Sequence, residues 1–390
     1  MTPPSPDAIL PAAILRPRIR RLTLADFRSY AQARCEIDAA LVVLSGDNGA
    51  GKTNVLEALS MFSPGRGLRR VEIGDCARHD GAGGFAVSVE LETDGVTTQL
   101  GHGLEPPGPD GAARRFRVDR APVGSARAFA DHIRALWLTP AMDGLFAGPA
   151  GERRRFLDRL ALGVDADHGA RVSKLERALR NRNRLLEDGV SDRHWLAAAE
   201  QEIAAIGVAV SAARLETVSR LSALIESSRD EASAFPFAQI AIEGEIEAML
   251  AREPALVVEE RFRDMLAASR RRDASAGRTL TGPQTSDLAV RHGVKGEAAR
   301  DCSTGEQKAL LMGLTLAHAR LVTAMTGRTP LLLLDEVAAH FDVTRREALY
   351  SELERLGAQV WMTGADASLF ASLQGRAEML RVTPGKVERL

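Results

Sequence analysis

Apolar residues fall into three patterns along the chain. Uninterrupted runs, "ALVVLSG" (40–46), "PLLLL" (330–334) and "AQVWMTG" (358–364), predict strands buried on both faces, as in a parallel sheet. Alternating stretches, "FAVSVELET" (85–93), "TTQLGHGL" (97–104) and "ARRFRVD" (113–119), predict antiparallel strands, with the turn-rich "PPGPDGA" (106–112) between the last two. Helical spacing begins in "TNVLEALSMF" (53–62) with Val55, Leu56, Leu59 and Phe62. It then dominates the middle of the chain. Phe156, Leu157, Leu160 and Leu162 mark one helix, and Val172, Leu175, Leu179 and Leu186 a second. Trp195, Ile203, Ile206, Val210, Val218, Leu221 and Ile225 mark a long third. Gly189 interrupts the last two, which predicts an antiparallel helix hairpin. A strand at "AQIAIEGEI" (238–246) and a helix at "EERFRDMLAASRRRD" (259–273) follow.

Between the first buried strand and its helix, Gly46-Asp47-Asn48-Gly49-Ala50-Gly51-Lys52-Thr53 fits GxxxxGK[ST], the phosphate-binding P-loop. Glycines let the backbone curl until successive N–H groups converge on phosphate oxygens, and the helix N-terminus adds partial positive charge. Lys52 is placed for the β- and γ-phosphates, and Thr53 offers its hydroxyl to Mg²⁺. The strand at 330–334 ends in two acids. Asp335 suits Mg²⁺ through its water shell, and Glu336 suits the catalytic base that polarises the attacking water. A third segment, Ser303-Thr304-Gly305-Glu306-Gln307, opens a helix with Leu310, Leu311, Leu314 and Leu321 on one face. Ser303 and Glu306 have capping-box spacing, and a serine and glycine at a helix N-terminus make a second anion site.

Composition sharpens this picture. The chain of 390 residues, 45% hydrophobic and 26% charged, suits two or three soluble domains. No apolar run approaches the roughly 20 residues that span a bilayer, and no targeting segment is evident. Three widely spaced cysteines, Cys35, Cys76 and Cys302, fit a reducing cytoplasm better than a zinc site or disulfides. Net charge is −1, so nucleic-acid binding must come from local patches. Arg66, Arg69 and Arg70, and then Arg153 and Arg154, are the favoured contacts to duplex DNA. Aromatics, 4% of residues, are not interleaved with the arginines, which argues against base stacking.

P-loop, serine–glycine helix and Asp–Glu strand, in this order, resemble an ABC-type ATPase head. Further stretches are similar to the RecF family: "LTLADFRSY" (22–30) with its Phe-Arg pair, "SPGRGLRR" (63–70), "GPAGERRRFLDR" (148–159) and "TGPQTSDL" (281–288). The resemblance implies an α/β fold: an ABC-type P-loop head with a flanking β-lobe and an inserted, mostly helical arm. Its expected parts are a disordered extension (1–15), a first head segment (16–130), the arm (131–280) and a second head segment (281–390). It implies ATP and Mg²⁺, with Arg28 and Thr363 joining the nucleotide site. It also implies a homodimer with ATP, in which Ser303, Gly305 and Gln307 complete the site in trans and Asp342 marks the D-loop. Double-stranded or gapped DNA, RecR and RecO are the implied partners, with no membrane. The chain departs from the family at Glu306, Ala339 and His340, and no glutamine between 131 and 151 offers a Q-loop residue. A transporter ATPase subunit and an SMC- or Rad50-like structural ATPase remain the alternatives.

Overall fold

Leu41–Ser45 (β3), the run ahead of the glycine loop, is buried throughout. In the computed structural model, which describes residues 14–65, 67–108, 111–189, 193–230 and 233–390, it lies inside a six-stranded sheet. Its companions are β8 (Ala135–Leu138), β11 (Leu331–Leu334), β12 (Val360–Gly364), β13 (Glu378–Thr383) and β14 (Lys386–Arg389), in the order β14-β13-β3-β12-β11-β8. β3 pairs in parallel with β12 and β13, and β12 in parallel with β11. The end of β12 therefore falls between the loop after β3 and the acids after β11. That placement builds the site.

A second, antiparallel sheet contains β1 (Arg18–Phe27), β2 (Tyr30–Glu36), β4 (Phe85–Thr93), β5 (Val96–Leu104), β6 (Arg114–Val118) and β7 (Ala121–Val123). Its order is β2-β1-β4-β5-β6-β7, so the lobe read from 85–119 also takes in the first two strands of the chain. Buried Gln359 joins β1 to the parallel sheet: its Oε1 accepts from the Ile19 N–H at 2.8 Å, and its amide donates to the Ile19 carbonyl at 3.0 Å. Residues 1–13 of the expected extension lie outside the described residues. Leu15 within it is hydrogen-bonded to Gly327 and Thr329.

Contacts divide the chain into two units. The first holds the described residues up to Trp137 with Ala319–Ala339 and Leu349–Leu390; the second holds Leu138–His318 and His340–Ala348. Residues 281–318, expected with the head, cluster with the second unit. One cause is β10 (Asp287–His292), which pairs antiparallel with β9 (Ala238–Glu243). The helices α2 (Ala150–Val164), α3 (His168–Glu187), α4 (Arg193–Ser227), α5 (Glu245–Leu250) and α6 (Ala255–Ala276) fill this unit. Leu175, Leu179, Ile203, Val208, Ile246, Val258, Phe262 and Leu266 form its core. Gly189, at φ +62°, follows α3 as expected for the hairpin turn. Fully buried Arg182 joins three segments of the unit. Its guanidinium donates to Asp273 at 2.9 Å, Thr279 at 2.8 Å, the Leu266 carbonyl at 2.7 Å and Glu200 at 3.2 Å.

One expectation needs correcting. The stretches His194–Ser227 and Thr304–Thr326 are long and apolar enough to cross a bilayer by length and composition alone. Half of the first apolar window and 67% of the second are buried inside the protein, as in core helices.

Candidate functional site

The glycine loop joins β3 to α1 (Lys52–Ser60). Two of its glycines are sterically required. At Gly46, φ +150°, a Cβ would meet the Val382 carbonyl oxygen at 2.2 Å; at Gly51, φ +113°, it would meet the Tyr30 hydroxyl at 2.8 Å. Gly51 caps α1, and no side chain caps the helix or places an acid in its first turn. The Asn54 N–H turns back onto the Gly51 carbonyl at 2.9 Å, and no side chain caps the Lys52 and Thr53 N–H groups, which suit an external acceptor. Asp47, Asn48 and Gly49 are exposed at the loop's rim, and the Ala50 N–H closes a turn on the Asp47 carbonyl at 3.1 Å. Lys52 is buried, and its ammonium donates to the Gly46 and Asp47 carbonyls at 2.7 and 2.9 Å. A buried cation held by neutral carbonyls, in a glycine loop at a helix N-terminus, fits a polyphosphate.

The acids stand opposite. The Thr53 hydroxyl donates to Asp335, at 3.0 and 3.1 Å from its two oxygens. The Thr363 hydroxyl donates to Asp335 Oδ1 at 2.8 Å and accepts the Glu336 N–H at 2.9 Å. Thr363 was expected to touch nucleotide. Its hydroxyl bonds to both acids, because β12 lies between β3 and β11. Glu336 sits at φ +52°, a region that non-glycine residues seldom occupy, and its carboxylate forms no hydrogen bond or ion pair among the described residues. A hydroxyl and a single carboxylate, both hard oxygen donors, fit Mg²⁺, which keeps several waters of its own.

Arg28, also expected at the nucleotide, is committed elsewhere. It makes a two-pronged contact with Glu57 at 2.8 and 2.6 Å and a bond to the Asp75 carbonyl at 2.6 Å. Glu57 on α1 is buried and also holds Arg69 at 3.0 Å; Arg69 reaches Asn54 at 2.8 Å. The sequence reading missed Glu57. Its one signal is an acid within an apolar-periodic helix.

Of the DNA candidates, Arg66 lies outside the described residues. Arg70, at φ +56°, and Arg69 are at least partly exposed. Arg153 is not available: Asp287 holds it through two bonds at 2.8 and 2.6 Å, and it also donates to the Phe146 and Gly148 carbonyls. Arg154 donates to the Ser286 carbonyl at 2.8 Å. These two arginines shape the second unit, because Asp287 and Ser286 arrive from a distant segment.

The signature opens α7 (Thr304–Thr326) with the expected capping box. Glu306 accepts from the Ser303 N–H at 3.0 Å and hydroxyl at 2.8 Å. Gly305 is exposed, and a Cβ added there would meet nothing nearer than Arg345 at 4.0 Å. Gln307 is buried, and its amide donates to the Cys302 carbonyl at 2.9 Å, so it shapes the turn and is not offered outward. Asp342 precedes α8 (Val343–Leu356) and accepts the Arg345 N–H at 2.8 Å, as a helix cap does.

Strand order, glycine loop and paired acids define a P-loop ATPase head of the ABC type. A family described as an AAA domain matches residues 21–98. The DNA replication and repair protein RecF of Mesorhizobium japonicum is 52% identical over 369 residues, covering 95% of this chain and 97% of that protein. The chain belongs to the RecF family. Among solved structures, the recombination mediator RecF with ATPrS matches at TM-score 0.83 and 20% identity, over 96% of this chain and 98% of that one. An SMC head bound to the C-winged helix domain of ScpA matches at TM-score 0.53 and 13% identity, over 95% and 96%. Both share the fold.

Proposed function

We propose that the chain is an ATP-dependent recombination mediator. ATP closes a homodimer that holds DNA at gaps or single-strand/double-strand junctions, and slow, DNA-stimulated hydrolysis releases it. The observation that carries this reading is the convergence of Lys52, Thr53, Asp335, Thr363 and Glu336 at one end of the parallel sheet.

In this reading Lys52 exchanges its loop carbonyls for the β- and γ-phosphates, and the N–H groups of Gly49, Gly51, Lys52 and Thr53 donate to phosphate oxygens. Thr53 and Asp335 hold Mg²⁺, which supplies neutralising charge to the triphosphate when bound. Glu336, with an unengaged carboxylate, takes a proton from the attacking water. Ser303 and Gly305 of one copy complete the γ-phosphate site of the other, and Asp342 stands in the D-loop. Each nucleotide is then part of the interface, so hydrolysis shifts the population toward separated copies. Arg66, Arg69 and Arg70 contact the DNA backbone without reading sequence. RecR and RecO, through which recombinase is loaded at gaps, are the protein partners, and the compartment is the cytoplasm.

Ser303→Arg tests the reading. It should bind ATP as a monomer yet fail to dimerise, and DNA binding by the wild type should weaken steeply as salt rises. Normal dimerisation of the variant, or a flat salt response, would contradict it.

A further inference from the structure

The capping carboxylate of the signature has a second partner. While Glu306 Oε2 accepts both Ser303 donors, Oε1 accepts from Lys295 Nζ at 2.5 Å. Lys295 comes from the turn after β10, where its own N–H reaches His292 Nδ1 at 3.3 Å. The pair is partly exposed, 46% for the lysine side chain and 23% for the glutamate. The Lys295 ammonium and the Ser303 donors push the Glu306 carboxyl down to about 2, so it stays charged at any working pH.

A helix cap needs only an acceptor; it does not need a charge, and it does not need a lysine. Glu306 therefore has two opposed effects. It fixes the Ser303 hydroxyl and accepts the Ser303 N–H just ahead of the first turn. It also sets a full negative charge beside a serine that, in the dimer, faces a triphosphate. A cation on the far oxygen resolves the conflict.

We infer that Lys295 is a positioning residue of the signature: through Glu306 it holds the Ser303 hydroxyl in place and cancels the repulsion that the carboxylate would exert on the nucleotide of a second copy. The inference rests on the trans-signature reading above. Four outcomes follow. Lys295→Met weakens nucleotide-driven dimerisation by roughly five- to tenfold, the scale of one unit charge across a partly exposed surface. That loss shrinks as salt rises. Glu306→Gln, which keeps an acceptor without charge, dimerises at least as well as the wild type. The double variant returns to the wild-type level, because no charge is left to cancel.

The test is sedimentation velocity of the full chain with Mg²⁺ and ATPγS at low and high salt. It covers the wild type, both single variants, the double variant and Ser303→Arg, with nucleotide affinity of each monomer measured in parallel. Salt-dependent weakening of Lys295→Met, rescued by Glu306→Gln, is the expected result. A salt-independent loss, a double variant as weak as Lys295→Met, or no loss at all would overturn the inference. If Ser303→Arg dimerises like the wild type, the trans-signature reading falls first and takes the inference with it. If Ser303→Arg fails while Lys295→Met is unaffected, the inference alone falls.

Discussion

Thr363→Val isolates what the threonine between the acids does. Valine keeps the shape of threonine and removes only the hydroxyl. That hydroxyl donates to Asp335 at 2.8 Å and accepts the Glu336 N–H at 2.9 Å, so one substitution removes a bond from each acid, Asp335 keeping the Thr53 hydroxyl. Glu336 depends on it most, since its backbone is held at φ +52°. A hydrogen bond to a charged group contributes about 1.5–3 kcal/mol and a neutral one about 1 kcal/mol. If about 2 kcal/mol of this is felt in the hydrolytic step, kcat falls roughly 30-fold. Nucleotide affinity should move by no more than about threefold, because Lys52 and the loop N–H groups are untouched. Single-turnover hydrolysis and titration with a fluorescent ATP analogue separate the two effects. Thr363→Ser, which keeps the hydroxyl, should retain most of the rate. A Thr363→Val protein with normal kcat and weakened binding would refute the reasoning, because the hydroxyl would then be contacting the nucleotide.

Two further predictions concern stability. Arg182→Met should destabilise the helical unit by about 3 kcal/mol, since it removes the nearer cation of buried Asp273, which keeps the Ser269 hydroxyl at 2.7 Å and Arg272 at 3.8 Å, and leaves Glu200 with Arg270 alone of its two arginines. Urea unfolding followed by a probe in that unit measures it, and a loss below about 1 kcal/mol would mean that Ser269 and Arg270 suffice. Burial, with Arg114 beside it, pushes the His102 imidazole from 6.5 down to about 3. The unfolded chain takes up that proton first, so stability should fall as pH drops from 6.5 toward 3. His102→Phe should flatten that part of the urea-midpoint profile; an unchanged slope would exclude the histidine as its source.

Residues that act through local spacing were legible in the sequence. The glycine loop, the Asp–Glu pair after four leucines and the Ser303–Glu306 box each need fixed residue types a few positions apart. What was missed depends on strand order and on segments that meet late. Thr363 reaches Asp335 only because β12 lies between β3 and β11. Glu57 is recognisable only once Arg28 and Arg69 arrive from two other segments. Arg153 reads as a surface cluster with its neighbours until Asp287 returns to claim it. Lys295 is invisible as a partner of the signature because a turn, not a helix repeat, brings it there. The β-lobe was underread for the same reason, since pairing of β1 with β4 joins residues far apart in sequence.

The most direct test of the central claim is sedimentation of the wild type and Lys52→Arg, with and without ATP–Mg²⁺ and then with a gapped duplex. The account predicts that the wild type dimerises only with ATP and holds the duplex only as a dimer, while Lys52→Arg does neither. A wild type that stays monomeric, or that binds the duplex regardless of nucleotide, would contradict it.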